Sequence, residues 1–342
     1  MNSKSLVAAT LLLQIASALF FLSGCGRQSD GVSAAPQRVV LSSTSGTSDS
    51  LLALPAPDNN LSTDKIELGR RLFFDLRLSH DNTIACASCH DLSAGGDDNR
   101  ALSLGINGQL GPINTPTVLN AALNFVQFWD GRAGTLEEQA AGPVHNPLEM
   151  ASNWAEVIKK LAQDDGYRRD FLALYPKGMS GESIVDAIAS FERTLITPNS
   201  RFDRHLAGDA SALDALEKSG LQRFLEFGCA SCHQGAAIGG NMFQRFGVMN
   251  DYFAGREPKP ADLGRYNVTG REEDRHVFKV PSLRNVGVTA PYFHDGSAHS
   301  LEEAVVIMGR FQLGRDIAGP DVKAITAFLR TLTGELPGQT LK

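Results

Sequence analysis

Two five-residue runs carry the sharpest chemistry in this 342-residue sequence, Cys86-Ala87-Ser88-Cys89-His90 and Cys229-Ala230-Ser231-Cys232-His233. Two thiols three residues apart can add to the two vinyl groups of one haem. The histidine that follows then reaches the iron as its proximal ligand. A shared zinc site would need the two pairs close together, and they stand far apart in the chain. A thioredoxin-like pair has no need of a histidine after its second cysteine. The spacing therefore implies two covalent haems, one on Cys86, Cys89 and His90, the other on Cys229, Cys232 and His233.

The fifth cysteine, Cys25, has no partner of this kind. Lys4 precedes an apolar run from Leu6 to Leu22, which reads as an export signal. The run ends in Leu22-Ser23-Gly24-Cys25, which resembles the lipobox of bacterial lipoproteins. That resemblance implies a signal peptide over 1–24, a lipid on Cys25 and a place on the periplasmic side of a membrane, held by acyl chains. A signal cut elsewhere, or an uncleaved anchor helix, is the alternative. Residues 25–55 are rich in small polar residues without periodicity and read as a tether. Hydrophobic residues at 42% exclude a disordered chain, and a net charge of −6 excludes a nucleic-acid footprint.

The elements that must position the haems come in two copies. Gly69-Arg70-Arg71-Leu72-Phe73 precedes the first motif and Gly220-Leu221-Gln222-Arg223-Phe224 the second. Pro116-Thr117-Val118-Leu119-Asn120 matches Pro281-Ser282-Leu283-Arg284-Asn285. Phe128-Trp129-Asp130-Gly131 matches Phe293-His294-Asp295-Gly296, and Leu136-Glu137-Glu138 matches Leu301-Glu302-Glu303. Helical spacing recurs at Ile184, Ile188, Phe191 and Leu195, at Leu213, Leu216, Phe224 and Leu225, and at Val322, Ile325, Phe328 and Leu329. Strand-like alternation is scarce. The expected fold is mainly α: two related c-type cytochrome domains with a haem in each and long loops, over 56–205 and 206–342.

The copies diverge downstream. In the second, Leu301-Glu302-Glu303 runs into an apolar stretch ending at Met308. Met308 is either core packing or a sixth iron ligand, which would raise the reduction potential and close the site. In the first copy the sequence turns polar, with Gln139 and then His145-Asn146-Pro147-Leu148-Glu149-Met150. Glu149 is either a surface residue after a proline turn or a carboxylate that moves a proton between peroxide oxygens. Met150 competes as an iron ligand.

Together these residues resemble the bacterial dihaem cytochrome c peroxidase family over roughly 60–335. The resemblance rests on both haem motifs, Phe-Trp-Asp-Gly-Arg, Asn-Pro-Leu-Glu-Met and Pro-Tyr-Phe-His-Asp-Gly. It implies that His90 holds a low-potential peroxidatic haem and that His233 and Met308 ligate a high-potential haem. It places Glu149, as acid/base, and Gln139 on the distal side of the first haem, with Trp129 as an electron bridge. It also implies a calcium ion bound by Asn114 and the backbone oxygens of Thr289 and Pro291. The implied reaction is reduction of hydrogen peroxide to water with electrons from a cytochrome c, a cupredoxin or a quinol, in a protein of a commonly dimeric family.

One departure stands out. Many family members carry a histidine in a Ser-Leu-Gly-His stretch that caps the peroxidatic iron in the oxidised state. Here the stretch is Ser103-Leu104-Gly105-Ile106. Ile106 cannot ligate iron, so the first haem is expected to be five-coordinate or water-bound at rest, unless His80 or Met150 substitutes. A dihaem oxidase resembling the enzyme that matures a tryptophan-derived quinone is one rival reading. It also lacks that histidine, but it uses a tyrosine where Met308 stands. A non-catalytic dihaem carrier is the other. Arg132 and Arg284 are either partners of haem propionates or surface residues, and His145 is a candidate for the distal pocket. His294 is expected near the second haem or the domain interface. His205, His276 and His299 are expected at the surface and Trp154 in the core.

Overall fold

The computed structural model describes residues 50–55 and 60–336. Cys25, the signal segment and most of the expected tether lie outside the described residues. In the first copy the helices are α1 (Thr63–Phe73), α2 (Leu136–His145), α3 (Trp154–Leu161), α4 (Asp165–Leu174) and α5 (Gly181–Glu192). The short α6 (Arg201–Leu206) leads into α7 (Ala215–Glu226), α8 (Tyr266–Thr269), α9 (Leu301–Ile307) and α10 (Gly319–Arg330). A single antiparallel pair, β1 (Phe243–Arg245) and β2 (Val277–Lys279), registers Phe243 against Lys279. Most of the remaining chain is loop and single 3₁₀ turns, as the many Gly and Pro residues require.

The duplication is physical. In the first copy α1 crosses α5; in the second α7 crosses α10. Each crossing turns on one glycine. A Cβ on Gly69 would run into the carbonyl of Ala187, and one on Gly220 into that of Ala324. Phe73 then meets Phe191 edge-on at 5.4 Å between ring centroids, and Phe224 lies 5.4 Å from Phe328. Alanine at Gly220 would gain about 1 kcal/mol in helix propensity. Overpacking costs about 1–3 kcal/mol and decides the sign. Gly220→Ala is therefore expected to lower the melting temperature, read by thermal unfolding of the holoprotein.

The loops repeat as closely as the helices. Asn120 and Asn285 both take left-handed backbone, with φ of 61° and 62°. Their side chains converge on Thr197, whose Oγ1 accepts from Asn120 Nδ2 at 2.8 Å and from Asn285 Nδ2 at 3.0 Å. Phe128 and Phe293 are also left-handed, and narrow bridges pair Gln127 with Ala133 and Tyr292 with Ala298. Thr135 caps α2 and Ser300 caps α9, each accepting the N–H three residues on.

Two apolar cores result. One is built largely from α1, α3, α4 and α5, the other from α7, α9 and α10. Both ends of the described residues cross over. Leu51 and Phe202 are buried in the second core, and Leu336 is buried in the first. Residues 50–54 are thus not tether. Gly235 N–H donates to Ser50 O at 2.6 Å, and Arg284 Nη2 donates to Leu52 O at 2.7 Å. The helical expectation over 213–225 shifts too. Asp214 and Glu217 cap each other and start α7 at Ala215. Leu213 is then buried ahead of the helix, and Leu216 lies on its exposed face. Leu195 is likewise buried just beyond α5.

Candidate haem sites

Each C-x-x-C-H run folds as one 3₁₀ turn, Cys86–Ser88 and Cys229–Ser231. His90 N–H donates to Cys86 O at 3.0 Å, and His233 N–H donates to Cys229 O at 3.0 Å. All four thiols are unpaired. Burial raises Cys89 and Cys229 to about 11 and Cys86 further still, the reverse of an activated redox pair. Desolvation depresses both imidazoles, His233 to about 4. They are neutral at pH 7, the form that binds a metal. His90 Nδ1 donates to Gly96 O at 3.0 Å, which leaves Nε2 with the free lone pair. Phe73 and Phe224 lie 6.5 Å from His90 and His233 respectively. Cys229, Cys232, His233 and Met308 line one largely apolar cavity. Paired thiols beside a neutral imidazole fit a covalent haem at both places.

The divergence lies on one helix position. Met308 stands where α9 widens into a π-type turn over 308–312, packed with Phe246, Tyr252 and Phe278. Counting from the matched Leu136 and Leu301, the same position in the first copy is Pro143, inside α2. A proline cannot ligate. Gln139, half-buried, lies one turn earlier on α2. The chain then turns back at Asn146, which organises the segment. Its carbonyl accepts from Glu149 N–H and Ala151 N–H, and its Oδ1 accepts from Leu148 N–H. Its Nδ2 donates to Glu149 Oε1 at 2.6 Å.

Burial raises the Glu149 carboxyl, opposed by the Asn146 hydrogen bond and the Arg132 charge. Glu149 is near enough to the first motif to hold the Cys89 thiol up. Asn146→Asp keeps the acceptor for Leu148 but removes the donor and adds a negative charge. The acidic limb of a pH–rate profile is expected to move to higher pH in that variant.

The Ser103–Ile106 stretch is closed against this turn. Ile106 is 2% exposed, and its N–H donates to Glu149 O at 2.8 Å. A side chain on Gly105 would strike the Leu148 carbonyl. Of the two proposed substitutes for the absent histidine, one is at the surface and the other in the first core. His80 is exposed and pairs with Glu156 at 3.0 Å, and Met150 is buried in the first core.

Trp129 stands between the copies. Its Nε1 donates to Asn114 O at 2.9 Å, and its ring meets His294 edge-on. His294 is 1% exposed, bonded to Asp262 at 2.7 Å and stacked on Phe278. Asn114 N–H donates to His294 O, and its Nδ2 donates to Arg100 O at 2.8 Å. The side-chain oxygen of Asn114 and the carbonyls of Thr289 and Pro291 accept no hydrogen bond among the described residues. All three residues line the same cavity, where Asp97, pushed up by burial to about 7, adds a carboxyl. Free oxygen donors of this kind suit calcium.

Several expectations fail. Arg284 is no propionate partner: it is fully buried, paired with Asp203 at 2.8 Å and bonded to Ala236 O. Arg132 pairs with Asp130 and covers the Phe128 ring at 3.5 Å. His276 is only part-exposed; it stacks on Phe253 at 4.0 Å and bonds Asp262 O. His205 is only part-exposed, whereas His299 is exposed. His145 is exposed and lies edge-on to Trp154, itself part-buried at the first core. Lys279 was missed. It is buried and lines the same cavity. A lysine inside Val277-Phe278-Lys279-Val280 was the available signal.

A family model described as di-haem cytochrome c peroxidase matches residues 63–211. A cytochrome c551 peroxidase of Nitrosomonas europaea is 50% identical over 282 residues, covering 82% of each chain. The chain belongs to the di-haem cytochrome c peroxidase family. The cytochrome c peroxidase Ccp of Escherichia coli K12 is 52% identical over 82% of this chain, which spans 60% of that relative's length. A solved MauG-like protein associated with microbial copper homeostasis superposes with a TM-score of 0.75 at 30% identity, covering 84% of this chain and 95% of that one. Family membership brings two c-type haems and a mainly helical fold. No helix of the described residues is long and apolar enough to cross a membrane.

Proposed function

We propose that this protein reduces hydrogen peroxide to water at the first motif, with electrons gathered at the second from a cytochrome c, a cupredoxin or a quinol. The observation that carries this is the asymmetry of a duplicated fold. Met308 lines the cavity at the second motif, while the same position in the other copy is Pro143, with Gln139 one turn earlier on α2 and Glu149 in the turn that follows. When bound, the haems supply an iron site for peroxide at His90 and a one-electron store at His233 and Met308. The protein supplies the proton chemistry. Peroxide takes two electrons and two protons to give two waters. Glu149 accepts a proton from one peroxide oxygen and returns it to the other as the O–O bond breaks. The Asn146 amide fixes which carboxylate oxygen faces the reacting atoms. Gln139 offers an amide on the same side. Trp129, tied to Asn114 and ringed by His294, is the conduit between the copies.

Calcium at Asn114, Thr289 and Pro291 would neutralise the carboxyl of Asp97 and pin the two copies together. Export with a lipid on Cys25 would hold the protein at the periplasmic face of a membrane, and the family habit adds a homodimer. Stopped-flow mixing of peroxide with the oxidised and the half-reduced holoprotein tests the central reading. Rapid turnover with an added donor supports it. Slow formation of a stable oxidised state with little turnover favours the maturation-type oxidase. No reaction favours a carrier.

A further inference from the structure

Lys279 is the last residue of β2 and is 6% exposed. Its N–H donates to Trp129 O at 2.8 Å, so the strand end is tied to the loop that carries the bridging tryptophan. Its ammonium has no ion pair and no hydrogen bond among the described residues. Burial alone, with no charge opposing it, pulls the lysine down to about 8. An unpaired buried cation is costly and calls for an anion. Lys279 lines the same cavity as Cys232, His233, Gln244 and Met308. The other basic side chain on that cavity, Arg245, is exposed. Arg284, the other buried cation of this copy, is already committed to Asp203. The group that Cys229 and Cys232 bring into this cavity carries two carboxylates of its own.

We propose that Lys279 is the counter-ion of a propionate of the second haem and thereby holds the charge at the end of that haem nearest Trp129. This rests on the second motif being a haem site. A cation beside the macrocycle stabilises the reduced form, which holds one more electron. Removing it leaves a bare propionate and favours the oxidised form. Lys279 acts here as a positioning residue: it sets the potential and the orientation of the haem and takes no part in peroxide chemistry.

The test is a spectroelectrochemical titration of the holoprotein of Lys279→Met, Lys279→Gln and Lys279→Arg, with haem content measured in each. The methionine and glutamine variants are expected to favour oxidation of the second haem by about tenfold, a fall of about 59 mV for one electron. Arginine is expected to keep the parent value. An unchanged potential in a neutral variant that holds both haems overturns the proposal. So does a parent potential that shifts with added phosphate or chloride, because a free anion would then be the partner. A parent spectrum with amine rather than thioether ligation at the second haem, lost in all three variants, also overturns it, since Lys279 would then be serving the iron. A parent protein with only one haem overturns the haem reading itself, a result distinct from the others.

Discussion

The Glu149→Gln variant is expected to hold both haems and to lose about 10²- to 10⁴-fold in peroxide turnover, the span that a positioned acid/base contributes. The swap is close to isosteric. The glutamine oxygen can still accept from Asn146 Nδ2, and the backbone bond from Ile106 to the carbonyl of residue 149 is untouched. What disappears is a site that takes a proton and gives it back. The pH dependence separates this from a structural effect. Glu149 must be deprotonated to accept the peroxide proton, so activity falls as pH drops through its pKa. Burial raises that pKa above its ordinary value. The acidic limb should therefore sit higher than for a solvated carboxylate and be absent in the glutamine variant. Parent-like turnover in Glu149→Gln, with a pH–rate profile unchanged, defeats the assignment.

The fully oxidised protein is expected to react with peroxide without prior reduction, at a rate within about tenfold of the half-reduced form, a barrier difference of about 1.4 kcal/mol. The reason lies at Ile106. It stands where the family resemblance expects a capping histidine, it is buried, and its backbone is fastened to Glu149. His80 is held at the surface by Glu156, and Met150 is locked into the apolar core with its carbonyl bonded to His80 N–H. The electronic spectrum of the oxidised holoprotein should show one high-spin haem beside one low-spin haem. Two fully low-spin, six-coordinate haems, together with peroxide reactivity that appears only after reduction, would refute this.

Much of this was legible in the chain itself. A C-x-x-C-H run is local chemistry: three residues of spacing set which atoms can meet one haem, and no distant contact alters that. The internal repeat was equally plain, because each copy needs the same glycine at the same helix crossing and the same asparagine in left-handed backbone. Gly69 and Gly220, Asn120 and Asn285 are readable for that reason. The absence of a histidine at Ile106 needed no structure either.

The functional roles of single polar residues were harder to read. Arg284 and Arg132 both look suited to propionates, because a guanidinium fork is only a type. Whether it is free depends on residues far along the chain, here Asp203 for Arg284, while Arg132 is taken by its neighbour Asp130. Lys279 shows the converse. As a sequence letter it is an ordinary lysine in a short strand, and only burial without a partner marks it out. The docking of residues 50–54 on the second core, and of Leu336 on the first, followed the same rule. Composition said tether, but Leu51 found an apolar seat formed by residues 150 and more positions away.

The sequence by itself determined the cofactor attachment, the duplication and the isoleucine at 106, since each is written in residues that are neighbours or in a repeated pattern. The tertiary structure alone decided which charges are spoken for, which oxygens remain free around Asn114 and how Glu149 is held. Burial and partnership are properties of the packed interior, where the cost of an unpaired charge is set by every element that surrounds it.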